Sequence, residues 1–373
     1  MSWSTETVEA QREEFCRLAR QPDANVSELC RRYGISRKTG YKWLNRGDMR
    51  DLPRRPLSSP MRTQARIEAH VIELRREHPA WGGRKIAHLL ARDLSIEVAP
   101  STVTSILHRA GLVRPEASEA SMAWQRFEHP RPNSLWQMDF KGHFPVGSQR
   151  CHPLTVLDDH SRFNVVLHAM PGEDGTGVRA AMTRAFERYG LPERINADNG
   201  PPWGSAGRGV TAFSVWLIRL GIRISHSTPY HPQTNGKDER FHKTLLAEVL
   251  NGHVFHDFEA IQRRFNEWRG VYNNVRPHES LGMLTPADRY EASPRRMPSS
   301  LPPIEYSPND LVRRVQALGI VKFQGRRLRT SVALHGQPVA LRPDRDVDGA
   351  YDVYYCHQKI DRFDLNEVQS DST

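Results

Sequence analysis

From Leu135 onward the chain changes its hydrophobic period in an order that few folds can use. "LWQMDFKGHF", "HPLTVLDDHSR" and "FNVVLHAM" are three strand-like runs that read as an antiparallel meander. "GVRAAMTRAFERYG" then has helical spacing, with Ala180, Ala181, Ala185 and Phe186 on one side. "ERINADNG" is a short strand broken at Asn199-Gly200, "AFSVWLIRLG" a helix, "IRISHS" a strand, and a further helix starts near Lys237. A meander followed by helix, strand, helix, strand, helix demands an α/β layer with a mixed sheet. One more helix is expected over residues 258–274.

The residues ahead of this core are helical and basic. The 373-residue chain has a net charge of +10. Residues 1–114 hold 21 Lys and Arg against 13 Asp and Glu, a net of +8, which leaves only +2 for the rest. That imbalance points the N-terminal third at a polyanion. Residues 6–46 read as three short helices, the last one basic and starting at a Ser cap after Gly34-Ile35. This is the layout of a helix-turn-helix, whose second helix can enter the major groove. Ser36, Arg37, Lys38, Thr39 and Lys42 are the candidates for DNA contact, with Trp43 and Leu44 turned inward. After a Pro- and Arg-rich stretch, residues 60–114 form a second three-helix unit. Ser101 is expected to cap its last helix and Gly111 to end it. Arg84, Lys85 and Arg109 are placed to meet phosphate. Two such units in series suit a long, asymmetric site on double-stranded DNA.

Four cysteines lie far apart with no CxxC pair, which argues against a zinc site or a disulfide framework and suits a reducing compartment. The N-terminus is polar and acidic, unlike a signal peptide. No apolar run approaches the ~20 residues a membrane span needs. The expected location is the cytoplasm, at the nucleoid, with no membrane partner. Residues 115–134 and 291–310 read as linkers around a core at 135–290. Residues 311–366 alternate in short segments with turns at Gly319, Gly325 and Gly336, and are expected to form a small β-barrel with basic edges. Such a domain suits nucleic-acid binding or plain assembly.

Three places carry the chemistry. Asp139 sits in the middle of an apolar strand, where an acid costs desolvation energy unless something cationic answers it. Asp198 ends a neighbouring strand. Two carboxylates brought together there need a metal ion or a proton between them. Oxygen-only ligation suits Mg²⁺ or Mn²⁺. Asp238 and Glu239 share the first turn of the later helix. By helical period Asp238 points toward Phe241, Leu245 and Val249, and Glu239 flanks Lys243 and Leu246. So close to the helix start, that leaves both open as ligands. Lys243, four residues after Glu239, is a candidate phosphate contact on the same side of the helix. Asp158, Asp159 and Arg162 are expected in turn and packing roles. His226, His231 and His242 are available bases, though two-metal chemistry needs none.

"LWQMDF", "VLDDHSR", "ADNGPPW" and "YHPQTNGKDERFHKTL", in this order, resemble the integrase core of bacterial insertion-sequence transposases, a superfamily that includes retroviral integrases. The resemblance covers about 135–290 and extends to the paired N-terminal helical units. It implies a ribonuclease-H-like fold whose Asp-Asp-Glu triad is Asp139, Asp198 and, by the pattern Gly-x-x-Glu, Glu239. It implies two Mg²⁺ (or Mn²⁺) ions, cutting at the element's terminal inverted repeats, joining of 3′-hydroxyls to target DNA, and a homodimer or larger synaptic assembly. The 40 residues between Asp198 and Glu239 exceed the retroviral spacing, with the excess in the Gly-rich "PPWGSAGRGVTA". The alternative is a DNA-binding regulator derived from such a transposase that has lost catalysis. A nuclease acting on RNA–DNA hybrids is a weaker rival, since it has no use for two helix-turn-helix units.

Overall fold

The computed structural model describes residues 7–52, 62–113, 128–198, 200, 202–204, 210–226 and 236–366. It divides into two compact units, Met1–Gln64 and Ala65–Thr373.

The first unit is a three-helix cluster of α1 (Val8–Ala19), α2 (Val26–Arg32) and α3 (Arg37–Leu44). Each helix starts at a side-chain cap: Thr7, Asn25 and Ser36 accept backbone N–H groups of their own first turns. Phe15, Cys16, Cys30 and Trp43 form the buried centre. Gly40 allows α3 to cross closely, since a Cβ there would lie 2.5 Å from the Cys30 sulfur.

The second unit begins with another helical trio: α4 (Ala65–Glu77), α5 (Gly83–Leu94) and α6 (Pro100–Arg109). α6 starts with Pro100 at its first position and Ala99 as the cap residue, so Ser101 lies inside the helix and does not cap it as expected. The chain leaves α6 at Gly111, whose φ is +67°.

The sheet that follows contains β1 (Trp136–Phe140), β2 (Phe144–Val146), β3 (Gln149–Asp158), β4 (Asn164–Met170), β5 (Arg194–Ala197) and β6 (Arg223–His226). Its order is β2-β3-β1-β5-β6, with β4 on the other side of β3. β1 runs antiparallel to β3 and parallel to β5, so the sheet is mixed, as the element order requires. Six strands take part where five were expected, because the short β2 pairs with the start of β3. Side chains alternate between two cores. Trp136, Met138, Leu154 and Val156 face α7 (Gly175–Tyr189) and α8 (Ala212–Arg219). Leu157, Leu167 and Ala169 face α9 (Gly236–Leu245) and α10 (Phe258–Asn274). A π-helical turn, Leu246–Leu250, continues α9 directly.

Part of the stretch expected as a linker after residue 290 lies against this core. The Ser293 hydroxyl donates to Leu191 O, and the Arg295 guanidinium donates to Pro192 O and Gly221 O. The C-terminal part corrects the expected barrel. It is an open antiparallel sheet in the order β12-β11-β10-β7, plus a separate β8-β9 hairpin. Its strands are β7 (Leu311–Arg314), β8 (Ile320–Phe323), β9 (Arg326–Arg329), β10 (Pro338–Pro343), β11 (Ala350–Tyr355) and β12 (Gln358–Asp364). β7 and β12 end the ladder at opposite sides, so the described strands do not close. The sheet instead covers the core, with Ile218 of α8 in its apolar cluster. The Gln358 amide donates to Ile224 O and accepts from Ile224 N–H, which occupies edge groups of β6.

Candidate active site and nucleic-acid interface

Asp139 lies between Met138 and Phe140, which both face the α7–α8 core, so the pleat turns its carboxylate to the α9 side. β1 and β5 pair as Trp136↔Ile195 and Gln137↔Asn196. The same offset carried forward sets Asp198, just past the end of β5, opposite Asp139. The two acids sense each other: burial pushes Asp139 up to about 6, and the charges of Asp198 and Glu173 add to that rise. Each carboxylate accepts a nearby backbone N–H, from Phe140 at 2.8 Å and from Gly200 at 2.9 Å.

α9 closes the site from the other side. Its first turn is held by Lys237, whose ammonium lies 2.5 Å from Asp159 Oδ1. Asp159 also accepts the His129 N–H and the Gln137 amide, and Asp158 accepts from Asn133 N–H and from the Ser161 N–H and hydroxyl. The Asp158-Asp159 pair is therefore a structural hub. Arg162, at φ +64° in the same turn, reaches Glu128 at 3.5 Å.

Of the two neighbouring acids on α9, Asp238 is the buried one, on the side of Phe241, Leu245 and Val249 that the helical period assigned to it. Burial first, then the charges of Asp139 and Asp159, hold its carboxyl well above the usual range. Its Oδ1 has no partner among the described residues. Glu239 is exposed. Among the described residues no group of three or more His, Cys, Asp or Glu side chains is gathered at metal-binding distance. The structure thus brings Asp139 near Asp198, sets Asp238 close enough for the Asp139 charge to act on it, and leaves Glu239 exposed on α9.

His242, one turn on, was missed as a neighbour of Asp139 because that contact spans elements. Its Nε2 is 2.9 Å from the Thr155 hydroxyl, and its Nδ1 is 4.0 Å from Asp139 Oδ2. The Thr155 hydroxyl donates to Asp139 O, so its oxygen accepts from Nε2–H of the ring. Burial, then the Lys141 charge, brings His242 down to about 4, so the imidazole is neutral. His226 Nδ1 meets the Asp198 carbonyl oxygen at 2.9 Å, while His231 lies outside the described residues. Lys243 is exposed on α9.

In the first unit, Ser36 and Thr39 engage each other: the Ser36 oxygen accepts the Thr39 N–H at 3.1 Å, and the two hydroxyls lie 2.9 Å apart. Arg37 and Lys38 are exposed, as are Tyr41 and Asn45 at the helical repeats that follow. Tyr41 was legible from that period and was overlooked for lack of charge. Lys42 is exposed, with its ammonium 4.9 Å from the Trp43 ring centre, where Arg12 and Arg46 also stack at 4.0 and 5.0 Å.

The second unit departs from expectation. Arg84 pairs with Glu279 at 2.9 Å, and Arg109 with Glu68 at 2.7 Å. Burial and the Arg276 charge bring Lys85 down to about 8. Lys85 lies toward the core, whereas Arg84 is exposed and meets Glu279 at the surface. On α6, Ser101, Ser105, His108 and Arg109 are exposed.

Known families match along much of the chain, and one match spans both helical units. Residues 129–232 and 220–286 each match a family described as "Integrase core domain", 39–107 a "Homeodomain-like domain", and 310–371 "IS481 family transposase, C-terminal domain". The chain is 28% identical over 280 residues to an insertion element IS476 uncharacterized 39.2 kDa protein of Xanthomonas euvesicatoria, covering 74% of this chain and 75% of that one. It is 26% identical over 226 residues to an insertion element IS407 uncharacterized 31.7 kDa protein of Burkholderia multivorans, covering 60% of this chain and 79% of that one. A chain of a simian T-cell lymphotropic virus intasome, solved with a PP2A regulatory subunit, overlays at a TM-score of 0.40 with 16% identity, over 79% of this chain and 96% of that one. Strand order and family matches carry the fold, not that loose overlay. Among the described residues no helix is long and apolar enough to cross a membrane.

Proposed function

We propose that this chain, which belongs to the insertion-sequence transposases with an integrase core, binds the terminal inverted repeats of its element, cuts DNA at the element ends and joins the 3′-hydroxyls to target DNA. The observation that carries this reading is the Asp139–Asp198 pair, one carboxylate on β1 and one just past the end of neighbouring β5, with the Asp198 charge opposing that of Asp139. Their all-oxygen donor set fits Mg²⁺ or Mn²⁺, and Glu239, at the Gly236-x-x-Glu239 spacing, would complete a triad for two ions. When bound, such ions make water a better nucleophile and neutralise charge on the phosphate oxygens.

The chain's own residues do the rest. Lys237, tied to Asp159, fixes the first turn of α9 and so the direction in which Glu239 leaves the helix. Neutral His242 fills the space beside Asp139 and, through Thr155, braces the strand against the helix. Lys243 offers a cation to a phosphate at the rim. Arg37 and Lys38 hold the DNA end through contacts that weaken steeply with salt. Joining two ends calls for a homodimer or larger synapse.

Asp139→Asn and Glu239→Gln are expected to abolish cutting of a terminal-repeat duplex while end binding holds, and Asp238→Asn to keep cutting. Cutting that survives Glu239→Gln but not Asp238→Asn would move the third ligand to Asp238. A catalytically inactive regulator is favoured by one observation: among the described residues no three His, Cys, Asp or Glu side chains gather where they could hold a metal ion. A regulator would cut no DNA in any of these forms and lose nothing with Asp139→Asn.

A further inference from the structure

Glu248 lies in the π-helical turn that continues α9, and both of its oxygens are in use. Oε1 accepts the Trp81 indole N–H at 3.2 Å and the Arg276 Nε–H at 2.9 Å, and Oε2 accepts the Trp268 indole N–H at 2.9 Å. The Glu248 and Arg276 side chains are each only 9% exposed. The two indoles come from different cores. Trp81 belongs to the α4–α6 cluster with Val71, Ile86 and Leu90, and stacks on His78 at 3.7 Å. Trp268 belongs to the cluster of Phe241, Leu245 and Val249 beneath α9. One carboxylate thus joins the second helical unit to the helix that bears Glu239.

The surroundings support the same joint. Val271 and Val275, at the end of α10 and just after it, pack against the α4–α6 cluster. Arg84 reaches Glu279, and Arg92 donates to Val275 O at 3.4 Å. A π turn inside a helix often marks a functional position, because the extra residue re-aims the side chains that follow. Buried charge with matched donors holds one geometry firmly, since any shift strands the charge.

We infer that Glu248 is a positioning residue that sets the cutting register: it holds the second helical unit at a fixed distance from the catalytic helix. DNA bound by that unit is thereby presented to Asp139, Asp198 and Glu239 at one phosphodiester. This rests on the function proposed above.

The test uses the full chain with Mg²⁺ and a labelled duplex of the element's own terminal repeat, read from the DNA flanking the gene. Cuts are mapped to the nucleotide. Trp81→Phe removes one indole N–H and keeps an aromatic ring, and Glu248→Ala removes the whole joint. With both variants the cuts are expected to spread to neighbouring phosphodiesters, while cutting at the main position falls about tenfold and end binding holds. A residue that only stabilised the fold would lower yield without moving the cut. If both variants cut at the unaltered position alone, the register is overturned and the proposed function stands. If the unaltered chain cuts no terminal duplex, the function is overturned and the register with it. Trp81→Phe decides the matter if Glu248→Ala does not fold.

Discussion

Two pairs of aspartates on the same sheet are treated in opposite ways. Asp158 and Asp159, at the end of β3, are almost wholly buried and surrounded by donors: backbone N–H groups, a hydroxyl, an amide and the Lys237 ammonium. Asp139 and Asp198 accept one backbone N–H each among the described residues, and face each other. Residue type is the same in both pairs. What differs is whether the fold supplies the partners or leaves oxygens for something else. Structural acids come with their donors, while the acids we propose as metal ligands sit where the Asp198 charge raises Asp139 and a cation would relieve it.

The sharpest way to break this comparison is to neutralise one acid of each pair. Asp139→Asn is expected to lower terminal-repeat cutting by roughly 10⁴-fold. It should also abolish the rise in melting temperature that Mg²⁺ gives the unaltered chain. Asp159→Ala should act on folding instead. Leaving the Lys237 ammonium without its buried partner costs about 3–5 kcal/mol, read as a lower urea midpoint. If Asp139→Asn destabilised the chain as much as Asp159→Ala does, the division into working and structural acids would fail.

Buried groups without partners extend the comparison. His278 is buried, its Nε2 has no partner among the described residues, and burial with the Arg276 and Lys85 charges brings it down to about 3. Its folded value lies below its unfolded one, so the unfolded chain binds the proton first as pH falls. Stability should therefore drop by about 1.4 kcal/mol per pH unit below about 6.5, down to about 3. Comparing urea midpoints at pH 7 and pH 5 gives about 2 kcal/mol from this residue, a difference that His278→Asn should remove. The smallest effect belongs to Asp238. Burial disfavours its charged form, so Asp238→Asn should change stability by no more than ~1 kcal/mol. A large loss there would show that its charge is in use.

Much of this was legible before any coordinates. The period changes after Leu135 gave the mixed sheet, because strand and helix repeats leave different marks. The helical period also set Asp238 inward, and the Ser36 cap fixed where α3 begins. The failures were of other kinds. Ser101 looked like a cap, but Pro100 already occupied the first position of α6. For Arg84 and Lys85, expected as phosphate contacts, the sequence did not show that Glu279 and Arg276 lie beside them, because charge along a sequence does not say what lies across from it. A barrel was expected from alternating segments, but alternation reports strands and not whether the first pairs with the last.

The sequence by itself determined the order of elements, their caps and the residue types able to hold a divalent ion, since each depends on neighbours a few positions away. Only the tertiary structure decided which acids meet. The β1–β5 register aligns Asp139 with Asp198, the Lys237–Asp159 pair aims α9, and Glu248 gathers one indole from each of two cores. Those outcomes depend on groups from far apart in the chain being brought together, and burial among matched donors is what turns an ordinary carboxylate into a hub or a joint.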